Sequence, residues 1–143
     1  MKNKLYFLLI IWLSIFSFTC AQDLAKSNFT DEFIDKCIIE VFQDKSDVLV
    51  FNSTSDRYRV LTDFMKNRVI IEFQPNYKGK GFDSTNELSV FNKYNPTLVR
   101  DQFYDVNTFN PLKYINAINF NSPSKNIYRI AETDYIMIVS PPK

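Results

Sequence analysis

Thr30-Asp31-Glu32-Phe33-Ile34-Asp35-Lys36-Cys37-Ile38-Ile39-Glu40-Val41-Phe42-Gln43 carries the clearest period in the chain. Phe33, Ile34, Cys37, Ile38, Val41 and Phe42 recur at helical spacing, while Asp35, Lys36, Glu40 and Gln43 fall on the other side. The pattern predicts an amphipathic helix from about 31 to 43, with Thr30 as N-cap, acids in its first turn and Phe33 as a hydrophobic staple. Far along the chain, Ile127-Tyr128-Arg129-Ile130 and Tyr135-Ile136-Met137-Ile138-Val139 predict two strands of an antiparallel hairpin, turning at Ala131-Glu132-Thr133-Asp134.

Between these ends the reading is more varied. Asp47-Val48-Leu49-Val50-Phe51 predicts a short buried strand, and Asn52 to Ser55 a turn. Tyr58, Leu61, Phe64 and Met65 suit a helix capped by Ser55 or Asp56, although Tyr58, Val60 and Thr62 would also alternate in a strand. Val69-Ile70-Ile71-Glu72-Phe73 predicts a strand ended by Pro75. Strand, helix and strand would then make a right-handed βαβ unit. Thr97 to Tyr104 suits one short helix, and Phe109 to Tyr114 an ordered loop leading into a strand at 116–120. Asn92, Asn95, Asn107 and Asn110 favour turns in this region, which Pro96 and Pro111 also interrupt. The expected class is α+β: residues 30–143 form one domain, with a mixed or antiparallel sheet of about four to five strands and two to three helices on one face.

Composition removes several functions. The chain has 143 residues, enough for one domain. It has no histidine, which removes Ser-His-Asp and Cys-His catalysis and histidine-ligated zinc. Its two glycines, Gly79 and Gly81, cannot build a phosphate-binding loop or a dinucleotide fingerprint. Seventeen basic and 16 acidic residues nearly cancel, which argues against a nucleic-acid partner. No cofactor and no metal motif is indicated.

The first residues carry an address. Lys2 and Lys4 precede an apolar run from Leu5 to Phe16, too short for a membrane span, which needs about 20 residues, and suited to the h-region of a signal peptide. Ser17-Phe18-Thr19-Cys20 resembles a loose lipoprotein signal, in which Cys20 is lipidated and residues 1–19 are removed. Ordinary cleavage after Ala21 would instead remove 1–21, and 22–29 would tether the domain in that case. A leader ending in Cys-Ala-Gln, on a chain rich in Asn, Lys, Ile, Phe and Tyr, resembles those of exported lipoproteins and secreted proteins of the Bacteroidota. Asp83-Ser84-Thr85 is similar to the short O-glycosylation signal of that group. The resemblance covers the leader alone. It implies export to the periplasm or to a membrane-anchored place in the cell envelope, with the membrane reached through an acyl chain on Cys20. Cys37 would then be the one remaining cysteine, with no internal disulfide to form, and its place in the apolar stripe marks it as a core residue.

Candidate contacts come from aromatic and basic residues in turn-rich segments. Tyr77, Lys78, Lys80, Tyr94, Tyr104 and Tyr114 combine flat rings, polar tips and positive charge, which suits an envelope glycan or an envelope protein. The expected function is a non-enzymatic, exported binding or accessory protein. One alternative is a carboxylate-dependent hydrolase, with Asp101 and Asp105 on one helix face and Glu87, Glu132 or Asp134 as partners. Another is a structural component of an envelope assembly, which would expose an apolar patch.

Overall fold

A computed structural model describes residues 29–52, 54, 56–75 and 82–143. Helix α1, Asp31–Phe42, forms as its period demands. Thr30 Oγ1 accepts the Phe33 backbone N–H at 3.2 Å, and Phe29 stacks on Phe33 with ring centroids 5.4 Å apart. Ile34, Cys37, Ile38, Val41 and Phe42 are buried along one stripe. Helix α2, Arg57–Asp63, starts at Asp56 and runs on as a π-helical turn over Phe64–Arg68. Leu61, Phe64 and Met65 face the core.

The sheet has four strands: β1 (Val69–Phe73), β2 (Asp83–Ser84), β3 (Asn126–Arg129) and β4 (Tyr135–Val139). Their order is β1-β4-β3-β2. The hairpin β3–β4 is antiparallel, β1 joins β4 antiparallel with Val69 opposite Val139, and β2 joins β3 in parallel. The molecule is thus a single small α+β domain with a mixed sheet. Its core joins the α1 stripe to Phe64, Met65, Val69, Ile71, Met137, Val139, Phe109, Leu112 and Tyr114. Arg68 fastens the chain end to this core. Its Nε donates to Ser140 O at 2.9 Å, its guanidinium also bonds Phe120 O, and it lies over the Phe120 ring at 4.4 Å.

Several local expectations are corrected. Asp47–Phe51 is a π-helical turn, closed by Asn52 N–H to Asp47 O at 2.7 Å, and not a strand. Only Val50 of the five is buried, so the run never meets a second strand. The βαβ unit is therefore absent, and β1 takes its neighbour from the C-terminal hairpin instead. A short apolar run has no period of its own, so tertiary contacts select its conformation.

Residues 97–104 form no helix. Arg100 reaches across to Leu88 O at 2.5 Å and Asp101 turns inward to Lys113, so two side chains of the segment are committed to cross-chain bonds. Pro111–Tyr114 is a 3₁₀ helix whose N-cap, Asn110, accepts the Leu112 N–H at 2.9 Å. Proline at the first helical position suits it to start there. Residues 116–120 continue as turns, Ile118 N–H bonding Tyr114 O at 2.9 Å, and add no strand.

Candidate functional site

The C-terminus of α1 is the focus of the structure. Gln43, just beyond it, has φ 47°, a conformation that costs a residue with a Cβ about 1–3 kcal/mol. The last carbonyls of a helix lack helical donors. Here distant asparagines supply them. Asn95 Nδ2 donates to Glu40 O at 3.0 Å and Asn92 Nδ2 to Val41 O at 3.1 Å. Asn110 Nδ2 adds a bond of 3.0 Å to Cys37 O, one turn earlier, where the carbonyl already lies within the helical ladder. Each asparagine oxygen meanwhile accepts from the residue two further on: Tyr94 N–H for Asn92, Thr97 Oγ1–H for Asn95 and Leu112 N–H for Asn110. The turn preference read in the sequence is thus the visible half of a device. Its other half closes the helix.

Beside this end lies a buried ion network. Lys113 has a side chain only 4 % exposed, and its Nζ is 2.5 Å from Asp101 Oδ1 and 2.5 Å from Glu40 Oε1. Asn110 Nδ2 donates to Glu40 Oε2 at 2.9 Å, and the Asn110 backbone N–H points to Asp101 Oδ2 at 3.4 Å. Two carboxylates share one ammonium. Burial pushes the Asp101 carboxyl above its usual range, against the pull of the bond from Lys113. Burial also opposes the Lys113 charge, but its two carboxylate partners outweigh this and hold its pKa above the ordinary lysine value. The Cys37 thiol is pushed up to about 12 by burial, with the Glu40 and Asp101 charges adding to the effect. It is a core thiol and not a nucleophile at neutral pH.

Clefts open at the surface of the described residues. One has room for about 380 Å³ and is lined by Phe42, Arg57, Phe91, Asn92, Lys93, Tyr94 and Asn116. Tyr94 packs on Phe42 with ring centroids 6.0 Å apart, and Lys93 Nζ lies 4.8 Å from the Tyr94 ring centre. Arg57 is held by its bond to Leu49 O at 3.1 Å, and Asn116 Nδ2 donates to Phe91 O at 3.2 Å. Another cleft, of about 660 Å³, lies by the β3–β4 turn, and Glu87, Arg129, Glu132 and Asp134 are among the residues that line it. Ala131, at φ 47°, lies in its wall with its N–H bonded to Thr85 Oγ1 at 2.8 Å. Among the described residues no group of three or more acids and cysteines is placed to hold a metal ion, and no helix is long and apolar enough to cross a membrane.

The candidate residues scatter. Tyr94 lines the first cleft. Tyr104 is half-buried between Phe109 and Tyr135, with centroids 5.5 and 4.2 Å away, so its ring is committed to packing. Tyr114 is 1 % exposed and belongs to the core, which corrects its reading as a surface contact. Tyr77, Lys78, Lys80 and the lipidation candidate Cys20 lie outside the described residues. Asp101 and Asp105 share no helix face: Asp101 faces Lys113, and Asp105 accepts the Asn107 N–H at 2.7 Å. Glu40 and Lys113 were not singled out in the sequence. The one signal for Lys113 is its place inside the apolar block Phe109 to Tyr114. No family model matches the chain, and no curated protein or solved structure is significantly similar to it.

Proposed function

We propose that the chain is an exported, lipid-anchored, non-enzymatic binding protein of the cell envelope. We place its ligand surface in the cleft around Tyr94. One observation carries this reading: two cations, Arg57 and Lys93, frame aromatic rings of Phe42, Phe91 and Tyr94 in an open cleft of about 380 Å³. Ligand sites commonly occupy clefts of about 300–1,000 Å³. Rings stack on the apolar face of a sugar, the exposed Asn116 amide has a second N–H to donate, and the cations suit a carboxylate. An acidic envelope glycan has the matching chemistry. The leader supplies the compartment, with Cys20 as the anchor.

The test is a calorimetric titration with uronate-bearing oligosaccharides and their neutral counterparts. The acidic series should bind, and Tyr94→Ala and Lys93→Ala should each weaken binding about tenfold; Lys93→Ala should do so with thermal stability little changed. Equal binding by both variants would remove the cleft from consideration. The intact mass of the exported chain separates an acylated Cys20 from a start at Gln22.

A second reading rests on the other cleft. Glu87, Glu132 and Asp134 all line it, which keeps a carboxylate-dependent hydrolase in view with these acids in place of Asp101 and Asp105. Glycan cleavage that survives Glu87→Gln, Glu132→Gln and Asp134→Asn would rule that reading out.

A further inference from the structure

The parts needed for amide formation between side chains converge beside the end of α1. An amine, Lys113 Nζ, touches a carboxyl oxygen, Asp101 Oδ1, at 2.5 Å. A second carboxylate, Glu40 Oε1, touches the same nitrogen at 2.5 Å. A backbone donor, the Asn110 N–H, points at the other oxygen of Asp101. The Lys113 side chain is almost fully buried, while Glu40 is 45 % exposed and links the group to solvent. We propose that Lys113 and Asp101 condense into an isopeptide bond inside the folded chain, with Glu40 carrying the protons.

The chemistry balances without any external reagent. Glu40 takes a proton from the Lys113 ammonium and passes it to the Asp101 carboxylate. The freed amine pair adds to Asp101 Cγ, forming the C–N bond, and the Asn110 N–H steadies the oxygen that gains charge. Glu40 then moves a second proton from Nζ to the departing hydroxyl. The C–O bond breaks and water leaves by the open Glu40 side. Ammonium and carboxylate have become a neutral amide and one water.

The two carboxylates hold the Lys113 charge, so the first proton transfer is the uphill part; geometry and charge removal favour the rest. Attack needs the reacting atoms about 3–3.5 Å apart, and an amine 2.5 Å from Oδ1 reaches Cγ by a small rotation. Holding the groups in place removes the entropy of bringing them together. A buried ion pair is penalised by desolvation, and condensation removes both charges. Burial raises the Asp101 carboxyl above its usual range, which eases its protonation by Glu40. Glu40 is fixed for its task by Asn110 Nδ2 at 2.9 Å. The link would clamp the irregular segment bearing Asp101 to the 3₁₀ helix, in a domain whose described cysteine, Cys37, is free.

Mass spectrometry of the full chain, purified from the cells that export it and digested with trypsin, decides the matter. Trypsin cuts after Arg100 and, where its amine is free, after Lys113. In the linked chain Lys113 is acylated, so the fragment should run from Asp101 to Lys125 and lack one water. The same fragment from Lys113→Arg chain should end at residue 113 with no mass deficit. Glu40→Gln should slow the appearance of the link about a hundredfold, the scale of a lost proton carrier. Chain kept in denaturant from synthesis onward should show no link, because the reaction needs the fold. A wild-type fragment ending at Lys113 at full mass would overturn the proposal. So would a water deficit in a fragment still cut after Lys113, since that marks an imide and not a cross-link. The wild-type digest alone is decisive, whatever the variants do to folding.

Discussion

Replacing Asn110 with alanine tests whether the long irregular segment is held by its bonds to the last turns of α1. The Asn110 side chain is fully buried and makes three bonds: to Cys37 O at 3.0 Å, to Glu40 Oε2 at 2.9 Å and from Leu112 N–H at 2.9 Å. Neutral bonds contribute about 0.5–1.5 kcal/mol each and one to a charged group about 1.5–3 kcal/mol. Their loss sums to about 2.5–6 kcal/mol, and for a domain of this size that lowers the melting temperature by about 10–25 °C. Asn92→Ala removes two neutral bonds, to Val41 O and from Tyr94 N–H, and should cost about 1–3 kcal/mol. Urea unfolding followed by circular dichroism measures both, with the Asp101–Lys113 linkage of each chain read by mass. Asn110→Ala within about 1 kcal/mol of wild type, or milder than Asn92→Ala, would refute the argument, because Asn110 would then be a turn residue and no more. Asn110→Asp should be at least as damaging at neutral pH, since it sets a carboxylate directly against that of Glu40.

Two further outcomes follow from the buried titrating groups. Cys37, pushed up to about 12 from an ordinary thiol value of 9.0, should be about a thousandfold poorer in thiolate than a free cysteine. Alkylation at mild alkaline pH should therefore fail on the native chain and go to completion in urea; rapid native labelling would contradict the core placement. Tyr114, buried and pushed up to about 12 from 10.0, keeps a proton in the fold that the unfolded chain releases. The folded state thus binds more protons, so stability falls as pH rises from 10 toward 12, by about 2–3 kcal/mol from this residue. Tyr114→Phe should flatten that decline in denaturation series at stepped alkaline pH, and an unchanged slope would count against it.

The proposed functions rest on different parts of the molecule and fail separately. Loss of glycan binding in Tyr94→Ala says nothing about the Lys113 fragment, and an unlinked Lys113 leaves the cleft as it is. The exposed apolar residues Val99, Phe103 and Val106 lie in the segment that includes Asp101. Phe103 is 83 % exposed, so the described residues leave its ring uncovered.

Sequence by itself determined the elements whose side chains repeat with a period. Helix α1 shows six apolar residues at helical spacing and a capping threonine, and the hairpin strands β3 and β4 are apolar runs flanking a short turn; both form where the pattern places them. Cys37 was legible as core for the same reason. The run 47–51 and the segment 97–120 were not legible, because their conformations depend on partners far along the chain. Asn92, Asn95 and Asn110 look like turn residues until the end of α1 stands opposite their amides. Lys113 looks like any lysine until folding removes its water and brings Glu40 and Asp101, which no local spacing connects, to the same nitrogen. Local periodicity is set by neighbours three or four residues away. A buried charge network is set by which distant groups the fold shuts away from solvent together, and only the tertiary structure decides that.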